Sequence, residues 1–176
     1  TDFGNITGGN NTDSFNFTTG TITNVVDGGA GAVDDTLTYA GGPVATVTLT
    51  DIGTIDGFTG TATSIGATFD NINILTGSGA TDVLIGDDAT ATWAITAGND
   101  TYSSGGRTLT FSAIENLTGG SLVDTFNFTG SHAGAINGAA GNDDFNFNGG
   151  DLSGTLTGGA GENIYDFNGG TVSSTV

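Results

Sequence analysis

The sequence predicts an all-β fold, a parallel β-solenoid with coils of about 20 residues. Three observations predict it: a composition of turn and strand formers, a segment that recurs along the chain, and alternation of aromatic and polar residues within that segment. We expect one domain over residues 1–176, because the chain is too short for two comfortable cores.

The composition favours many short strands. Of 176 residues, 33 are Gly and one is Pro, while Cys and Met are absent. Gly supplies turns and the abundant Thr, Val and Ile favour strands, whereas the Lys, Glu and Met that fill helix surfaces are almost missing. The 11 Phe residues and the 35% hydrophobic content argue against disorder.

Six related segments each begin at a glycine-bearing turn. They are GGNNTDSFNF (Gly8 to Phe17), GGAGAVDDTLTY (Gly28 to Tyr39), GSGATDVLIG (Gly77 to Gly86), GGSLVDTFNF (Gly119 to Phe128), GAAGNDDFNF (Gly138 to Phe147) and GGAGENIYDF (Gly158 to Phe167). Their starts are 20, 49, 42, 19 and 20 residues apart, and we expect the two long gaps to be two periods with small insertions. Eight or nine stacked strands at about 4.8 Å each predict a rod about 40 Å long.

The recurring segments alternate aromatic and polar residues. Two aromatics flank one polar residue in Phe15–Phe17, Phe126–Phe128, Phe145–Phe147 and Tyr165–Phe167. Alternate residues of a strand share a face, so we expect an inner column of rings and an outer ladder of Asn16, Asn127 and Asn146. An antiparallel sandwich is the alternative, although it does not require a constant period.

A second element precedes the turn twice, as FDNINILTG (Phe69 to Gly77) and FSAIENLTGG (Phe111 to Gly120). Each coil is therefore expected to contain at least two strands.

The charge balance restricts the partners. One basic residue against 19 acidic residues gives a formal net charge of −18, which excludes nucleic acids and anionic membranes as partners. All the acidic residues except Glu115 and Glu162 are Asp, and short carboxylates at turns suit Ca²⁺. The alternative is that the acidity only keeps an extracellular protein soluble. No apolar run reaches the length of a membrane span, and no signal peptide is visible.

The turns resemble the calcium-binding nonapeptide of repeats-in-toxin proteins, G-G-x-G-x-D-x-U-x with U a large apolar residue. Gly138, Gly141, Asp143 and Phe145 match four of its positions, while Asn163 replaces the Asp in the last repeat. In that family, turn carbonyls and the Asp carboxylate bind Ca²⁺ between coils. The ligands that this resemblance implies here are Asp143, Gly138, Gly141, Asp124, Asp34, Asp35, Asp13, Asp82 and, from a half-match, Asp100.

The stretch FSAIENLTGGSLVDTFNF (Phe111 to Phe128) resembles the repeats of very large bacterial secreted and surface adhesin-like proteins. That resemblance implies an extracellular or cell-surface location and a structural role, as an adhesin stalk or a fibre subunit. We expect the chain to be a segment of a longer repeat protein or filament, with Thr171 to Val176 an unfinished strand. The expected partners are copies or neighbouring repeats, stacked end to end, and a carbohydrate or cell-surface receptor.

Other functions are less well supported by the sequence. A polysaccharide-active enzyme needs a cationic group, and the chain offers only Arg107 and His132, the latter expected in an exposed loop. Adjacent Asp pairs at 34–35, 87–88 and 143–144 could form an acid–base pair, but solvated turns are the simpler interpretation. We therefore expect no enzymatic activity.

Ice or carbohydrate binding is the main alternative. Thr-x-Thr pairs recur along the chain at 46–50, 61–63, 90–92, 108–110 and 155–157. Their offsets from the glycine turns differ, so we expect them not to form one column.

Overall fold

The computed structural model describes residues 4–173, which fold into 18 β-strands without helix. The strands are β1 (Ile6–Thr7), β2 (Ser14–Asn16), β3 (Val26–Asp27), β4 (Thr36–Thr38), β5 (Thr46–Ile52), β6 (Phe58–Ala62), β7 (Phe69–Ile72), β8 (Ile74–Thr76), β9 (Val83–Ile85), β10 (Ala91–Ile95), β11 (Asp100–Ser104), β12 (Arg107–Ser112), β13 (Asn116–Thr118), β14 (Asp124–Phe128), β15 (Ile136–Asn137), β16 (Asp144–Phe147), β17 (Leu156–Thr157) and β18 (Ile164–Asp166). The all-β expectation is confirmed.

The strands form two nine-stranded mixed sheets. The first sheet has the order β1-β3-β7-β6-β5-β9-β13-β15-β17, and the second has the order β18-β16-β14-β10-β11-β12-β8-β4-β2. Strands β1 and β2 therefore lie at one pair of sheet edges, and β17 and β18 lie at the other pair. We call these the β1/β2 end and the β17/β18 end.

The strands from β13 to β18 form a regular parallel stack. In the first sheet Leu117 pairs with Ile136 and Ile136 with Leu156, while in the second sheet Phe126 pairs with Phe145 and Phe145 with Tyr165. Each partner lies 19 or 20 residues further along the chain. The repeat spacing read from the sequence is confirmed as the pairing register here.

The middle of the chain is built differently. Strands β5, β6 and β7 form an antiparallel meander in the first sheet, and β10, β11 and β12 form one in the second. The expectation that the two long gaps are two periods with small insertions is therefore wrong. Glycines permit these reversals: Gly105 and Gly106, with φ of 56° and 77°, join β11 to β12 in a two-residue hairpin.

The core lies between the sheets and contains the predicted column of rings. Phe126, Phe128, Phe145 and Phe147 are completely buried, each stacked on its equivalent in the next repeat at centroid distances of 5.1 and 4.4 Å. The polar residues between them point outwards, and Asn146 Nδ2 donates to Asn127 Oδ1 at 3.1 Å. The predicted parity is confirmed in these repeats.

Residues 4–173 contain no helix of the length and apolar character needed to cross a bilayer.

Candidate functional site

The aspartates of the glycine turns point into the protein. Asp35, Asp82, Asp124 and Asp143 are at most 1% exposed, and Asp13 is half-buried. Asp124 precedes the inward-facing ring Phe126 by two residues, so strand parity places both side chains on the inner face. The same spacing links Asp143 to Phe145.

One carboxylate oxygen closes the turn of its own repeat. The backbone N–H four residues before each Asp donates to Oδ2: Gly9 to Asp13 at 2.6 Å, Ser78 to Asp82 at 2.6 Å, and Gly120 to Asp124 at 2.8 Å. These charge-assisted bonds hold the turn in one conformation.

The other oxygen joins neighbouring repeats. The N–H of Asp13 donates to Asp35 Oδ1 at 2.7 Å, that of Asp124 to Asp143 Oδ1 at 2.9 Å, and that of Asp143 to Asn163 Oδ1 at 2.9 Å. The donor always lies in the repeat nearer the β1/β2 end. We call this set of bonds the turn ladder.

In the middle of the chain the turn ladder uses substitutes. Asn73 Oδ1 accepts from the N–H of Asp35 at 3.1 Å, and Glu115 Oε2 accepts from the N–H of Asp82 at 2.8 Å. The inward position therefore requires a side-chain oxygen acceptor, which Asn and Glu also supply.

The first glycine of each turn is fixed by close approach. A Cβ added at Gly119 would lie 2.5 Å from Asp124 Oδ2 and 2.5 Å from the carbonyl oxygen of Gly138. A Cβ at Gly138 would collide with the Asp143 carboxylate and with the Gly158 carbonyl. No other residue leaves room for the carboxylate and the next repeat together.

The turns that carry a glycine at the fourth position adopt a second conformation. In these turns Gly29, Ala139 and Gly159 have positive φ, of 119°, 72° and 88°. The N–H of Ala139 then donates to Asn137 Oδ1 at 3.0 Å instead of to Asp143. As a result, Asp143 Oδ2 is buried and has no hydrogen-bond partner among the described residues.

Burial raises the pKa of these carboxyls. Desolvation raises the pKa of Asp124 to about 6, against hydrogen bonds from the Trp93 indole and the Gly120 N–H that lower it, and the nearby charge of Asp143 raises it further. Desolvation is also the main cause of the raised pKa of Asp35 and of Asp143. The stack thus contains carboxyls that hold protons more readily than surface aspartates do.

The carboxylates are engaged with the backbone and do not converge on one point. Among residues 4–173, no group of three or more His, Cys, Asp or Glu side chains has the arrangement of a metal site. Asp34 points to solvent, and Asp100, on β11, accepts from the N–H of Thr96 at 2.8 Å. Of the residues that the resemblance implies as ligands, Asp143 keeps a buried oxygen without a donor, so calcium binding stays a prediction centred on that turn.

Sequence reasoning missed a second buried polar group, in the central meanders. Asp87 Oδ1 accepts from the hydroxyl of Tyr102 at 2.6 Å and from that of Ser104 at 3.0 Å. Only the antiparallel pairing brings residues 87 and 104 together, and no repeat in the sequence signals it.

Asn71 was also missed, although the sequence holds a signal for it. Asn71 and Ala113 occupy equivalent places in the two FDNINILTG-like segments, and both have left-handed backbones, with φ of 57° and 53°. Asn71 is buried, its Oδ1 accepts from the N–H of Ile55 at 2.7 Å, and its Nδ2 donates to Asp27 at 2.8 Å. Asn tolerates this backbone conformation better than most residues.

His132 and one member of two adjacent Asp pairs are more buried than the sequence predicts. His132 is buried, not exposed, and its Nε2 lies 2.8 Å from the carbonyl oxygen of Glu115. In the adjacent Asp pairs, Asp35 and Asp87 are buried while Asp34 and Asp88 are exposed, since neighbouring residues face opposite ways.

The threonines align better than their sequence offsets suggest. On the outer face of the second sheet, Thr110 pairs with Thr101, and Ser103 lies between Thr108 and Thr92. Thr92 in turn pairs with Thr125. The five Thr pairs do not form one column, since Thr48, Thr61 and Thr157 belong to the first sheet, but the meander of the second sheet brings Thr92 and Thr108 into register on either side of Ser103.

Comparison of the chain with family models, with curated proteins and with solved structures gives no match. The resemblances to repeats-in-toxin proteins and to adhesin repeats therefore stay predictions.

Proposed function

We propose that the chain is a structural element of an extracellular stalk or fibre, built as a parallel β-solenoid. One observation carries the proposal: the registered pairing of each repeat with the residues 19 or 20 positions further on, from β13 to β18. Translation by one repeat superposes Gly on Gly, Asp on Asp or Asn, and aromatic on aromatic. An architecture in which each repeat contacts only its neighbours extends without limit, which suits a scaffold.

The chemistry of the turns supports a structural role over a catalytic one. The Asp124 carboxylate accepts from the backbone N–H of Gly120 and from the Trp93 indole N–H, so it is committed to the fold. A glycoside-cleaving pair needs two carboxylates facing one substrate. We therefore propose that the chain has no enzymatic activity and that its acidity serves solubility and cation attraction outside the cell.

Single-molecule pulling on the full chain by its two ends tests the solenoid. The repeats from β13 to β18, which pair only with their neighbours, should unfold in steps of about 20 residues, each adding about 70 Å of contour length. Rupture of the whole chain in one event would contradict the proposal. Protease treatment of intact producing cells tests the location, because a surface stalk should be cleaved while the cells remain closed.

The aligned threonines favour a second candidate function, binding of ice or of a regular carbohydrate surface. Thr92, Thr101 and Thr110 lie on adjacent strands of one outer face, where Thr101 pairs with Thr110 and Thr92 pairs with Ser103. Neighbouring strands lie about 4.8 Å apart and alternate residues about 6.7 Å apart, which gives a regular mesh of hydroxyl and methyl groups. Ice-recrystallisation inhibition that is abolished by Thr101→Tyr would support this function, and its absence in the unchanged chain would exclude ice.

A further inference from the structure

Three Asn residues of the chain are each followed directly by Gly, in Asn137–Gly138, Asn148–Gly149 and Asn168–Gly169. An Asn–Gly dipeptide can modify itself, because Gly has no side chain to hinder attack of its backbone nitrogen on the side-chain amide of the preceding Asn. The attack requires that both groups are free to approach each other. The hydrogen bonds of each dipeptide therefore decide whether it reacts in the folded chain.

Asn148 and Gly149 form an exposed turn directly after β16. Gly149 has a φ of 86°, and a Cβ added to it would meet no atom within 4 Å. Among residues 4–173, the Asn148 side chain has no hydrogen-bond partner and the Gly149 N–H has no acceptor. Neither reacting group has to break a hydrogen bond before it reacts.

Neighbouring repeats flank this turn on both sides. The N–H groups of Asn148 and Gly150 donate to the carbonyl oxygen of Phe128, at 2.9 and 3.2 Å, in the preceding repeat. In the following repeat, a Cβ added at Gly170 would lie 2.1 Å from the carbonyl oxygen of Gly150. The stack thus holds the main chain around the turn and leaves the two reacting groups in solvent.

Asn137–Gly138 is the same dipeptide in a bonded setting. Asn137 is the last residue of β15, and the N–H of Gly138 donates to the carbonyl oxygen of Thr157 at 2.9 Å. Asn137 Oδ1 accepts from the N–H of Ala139 at 3.0 Å. Both bonds must break before the Gly138 nitrogen can reach the Asn137 side chain, so only a locally opened chain reacts.

The third dipeptide is intermediate. The N–H of Gly169 donates to the carbonyl oxygen of Phe167 at 2.9 Å, and Asn168 is exposed. One hydrogen bond must break there, so the inference is confined to Asn148.

We propose that Asn148 is a site of spontaneous deamidation, at which the backbone nitrogen of Gly149 attacks the side-chain Cγ of Asn148. A C–N bond forms, the bond from Cγ to the side-chain nitrogen breaks, and the proton of the Gly149 N–H completes the departing ammonia. The product is a cyclic succinimide. Water then adds to one of its two carbonyl carbons and opens the ring, which gives Asp or isoaspartate. Water is the only co-reactant, and no oxidation occurs.

Both products alter the stack at this turn. Each adds one negative charge to a chain whose formal net charge is already −18. Isoaspartate also inserts a methylene group into the main chain between Asn148 and Gly150, both of which donate to Phe128. The lengthened main chain cannot keep both of these bonds in their present geometry, so we expect a loosened turn. This inference goes beyond the proposed function and does not depend on it.

Mass spectrometry of the full chain, kept folded for days at mildly alkaline pH, tests the site. Digestion with pepsin at low pH, where the ring forms slowly, separates peptides with Asn148 from those with Asn137. We expect Asn148 to convert at least about tenfold faster than Asn137, since two hydrogen bonds restrain Asn137 and none restrains the reacting groups of Asn148. In urea the two rates should become similar. Equal rates in the folded chain, or no conversion of Asn148, would overturn the proposal.

Two variants test the chemistry, each after a thermal melt has shown that it folds. Gly149→Ala adds a Cβ that touches no neighbour but hinders the attacking nitrogen, so Asn148 should convert more slowly while Asn137 is unaffected. Asn148→Gln keeps the amide on a longer side chain that disfavours the ring, and should abolish labelling of this turn by an isoaspartate-specific methyltransferase. Unchanged conversion in the first variant, or unchanged labelling in the second, would contradict attack by Gly149.

Discussion

The regular stack from β13 to β18 and the two central meanders bury aromatic rings in different ways. In the stack, successive rings lie within 6–11° of parallel. In the meanders, Tyr102 meets Phe58 at 60° and Trp93 at 65°, and Trp93 meets Phe111 at 78°. Parallel pairing at a constant offset places equivalent residues of successive repeats against each other. Antiparallel pairing brings together residues that hold no equivalent positions in the repeat.

The polar groups follow the same division. In the stack one arrangement, the turn ladder, recurs from repeat to repeat. In the meanders each buried polar group has its own network, as Asp87 has with Tyr102 and Ser104. When one repeat loses its bond of the turn ladder, the neighbouring repeats keep theirs. A network such as that of Asp87 has no equivalent on a neighbouring strand.

The largest effect should come from Trp93, where the two regions meet. Its ring stacks on Phe126 at 5.3 Å and contacts Tyr102 edge-on at 4.5 Å, and its indole N–H donates to Asp124 at 3.0 Å. We expect Trp93→Ala to lower the free energy of unfolding by about 4 kcal/mol. Urea denaturation measures the loss.

The control for this change is Tyr165→Ala, in the same column at the β17/β18 end. It should cost less than about 1 kcal/mol, because half-exposed rings bury less area. Equal losses of stability for the two variants would show that the Trp93 contacts between the stack and the meanders stabilise the fold no more than the Tyr165 contact does.

The next effect concerns the glycine at the close approach. Gly138→Ala places a Cβ against the Asp143 carboxylate and the Gly158 carbonyl, and we expect a loss of about 2–3 kcal/mol. Gly79→Ala is the matched control, because no atom lies within 4 Å of the added Cβ. Thermal melts of both variants measure the difference, and an unchanged Gly138→Ala melt would show that the repeats can separate at the turn.

A smaller effect concerns pH. Because the pKa of Asp124 is raised to about 6, the folded state holds this proton more tightly than the unfolded state does. Stability should therefore increase as pH falls from about 7 to about 4.5, by on the order of 2 kcal/mol from this group. Chemical denaturation across this pH range measures the slope.

Two variants distinguish the contribution of Asp124 to the pH dependence of stability from that of the net charge. Asp124→Asn should reduce the slope, with Asp35 and Asp143 supplying the remainder, whereas Asp88→Asn removes one exposed charge and should leave most of the slope. A slope that is the same in both variants would assign the pH dependence to the net charge.

The smallest effect should be that of calcium. Most turn carboxylates already bind backbone N–H groups, so we expect added Ca²⁺ to raise the melting temperature by only about a few degrees, reversed by chelator. Asp143 keeps the unpartnered oxygen, and Asp143→Asn should abolish the rise. A large rise in melting temperature that Asp143→Asn leaves intact would mean that Ca²⁺ displaces the hydrogen bonds of the turn ladder.

Much of the stack could be predicted from the sequence. The pairs Phe126/Phe128 and Phe145/Phe147, with Asn127 and Asn146 between them, fix which face is buried and the register of pairing. The Gly and Asp positions of the turns were also found. The hydrogen bonds of the turn ladder could not be predicted, because the sequence of a Gly–Asp turn is the same whether its carboxylate binds a cation or the N–H of a neighbouring repeat.

By itself, the sequence determined the strand-forming composition, the period of 19 or 20 residues and the inward face of each repeated strand, because these depend on neighbours close in the chain. Only the tertiary structure decided the antiparallel meanders, the burial of Asp87 and His132, and the pairing of Thr101 with Thr110. The physical reason is that a translational repeat carries its own partner one period away. A reversed strand meets residues whose only relation to it is the path of the chain.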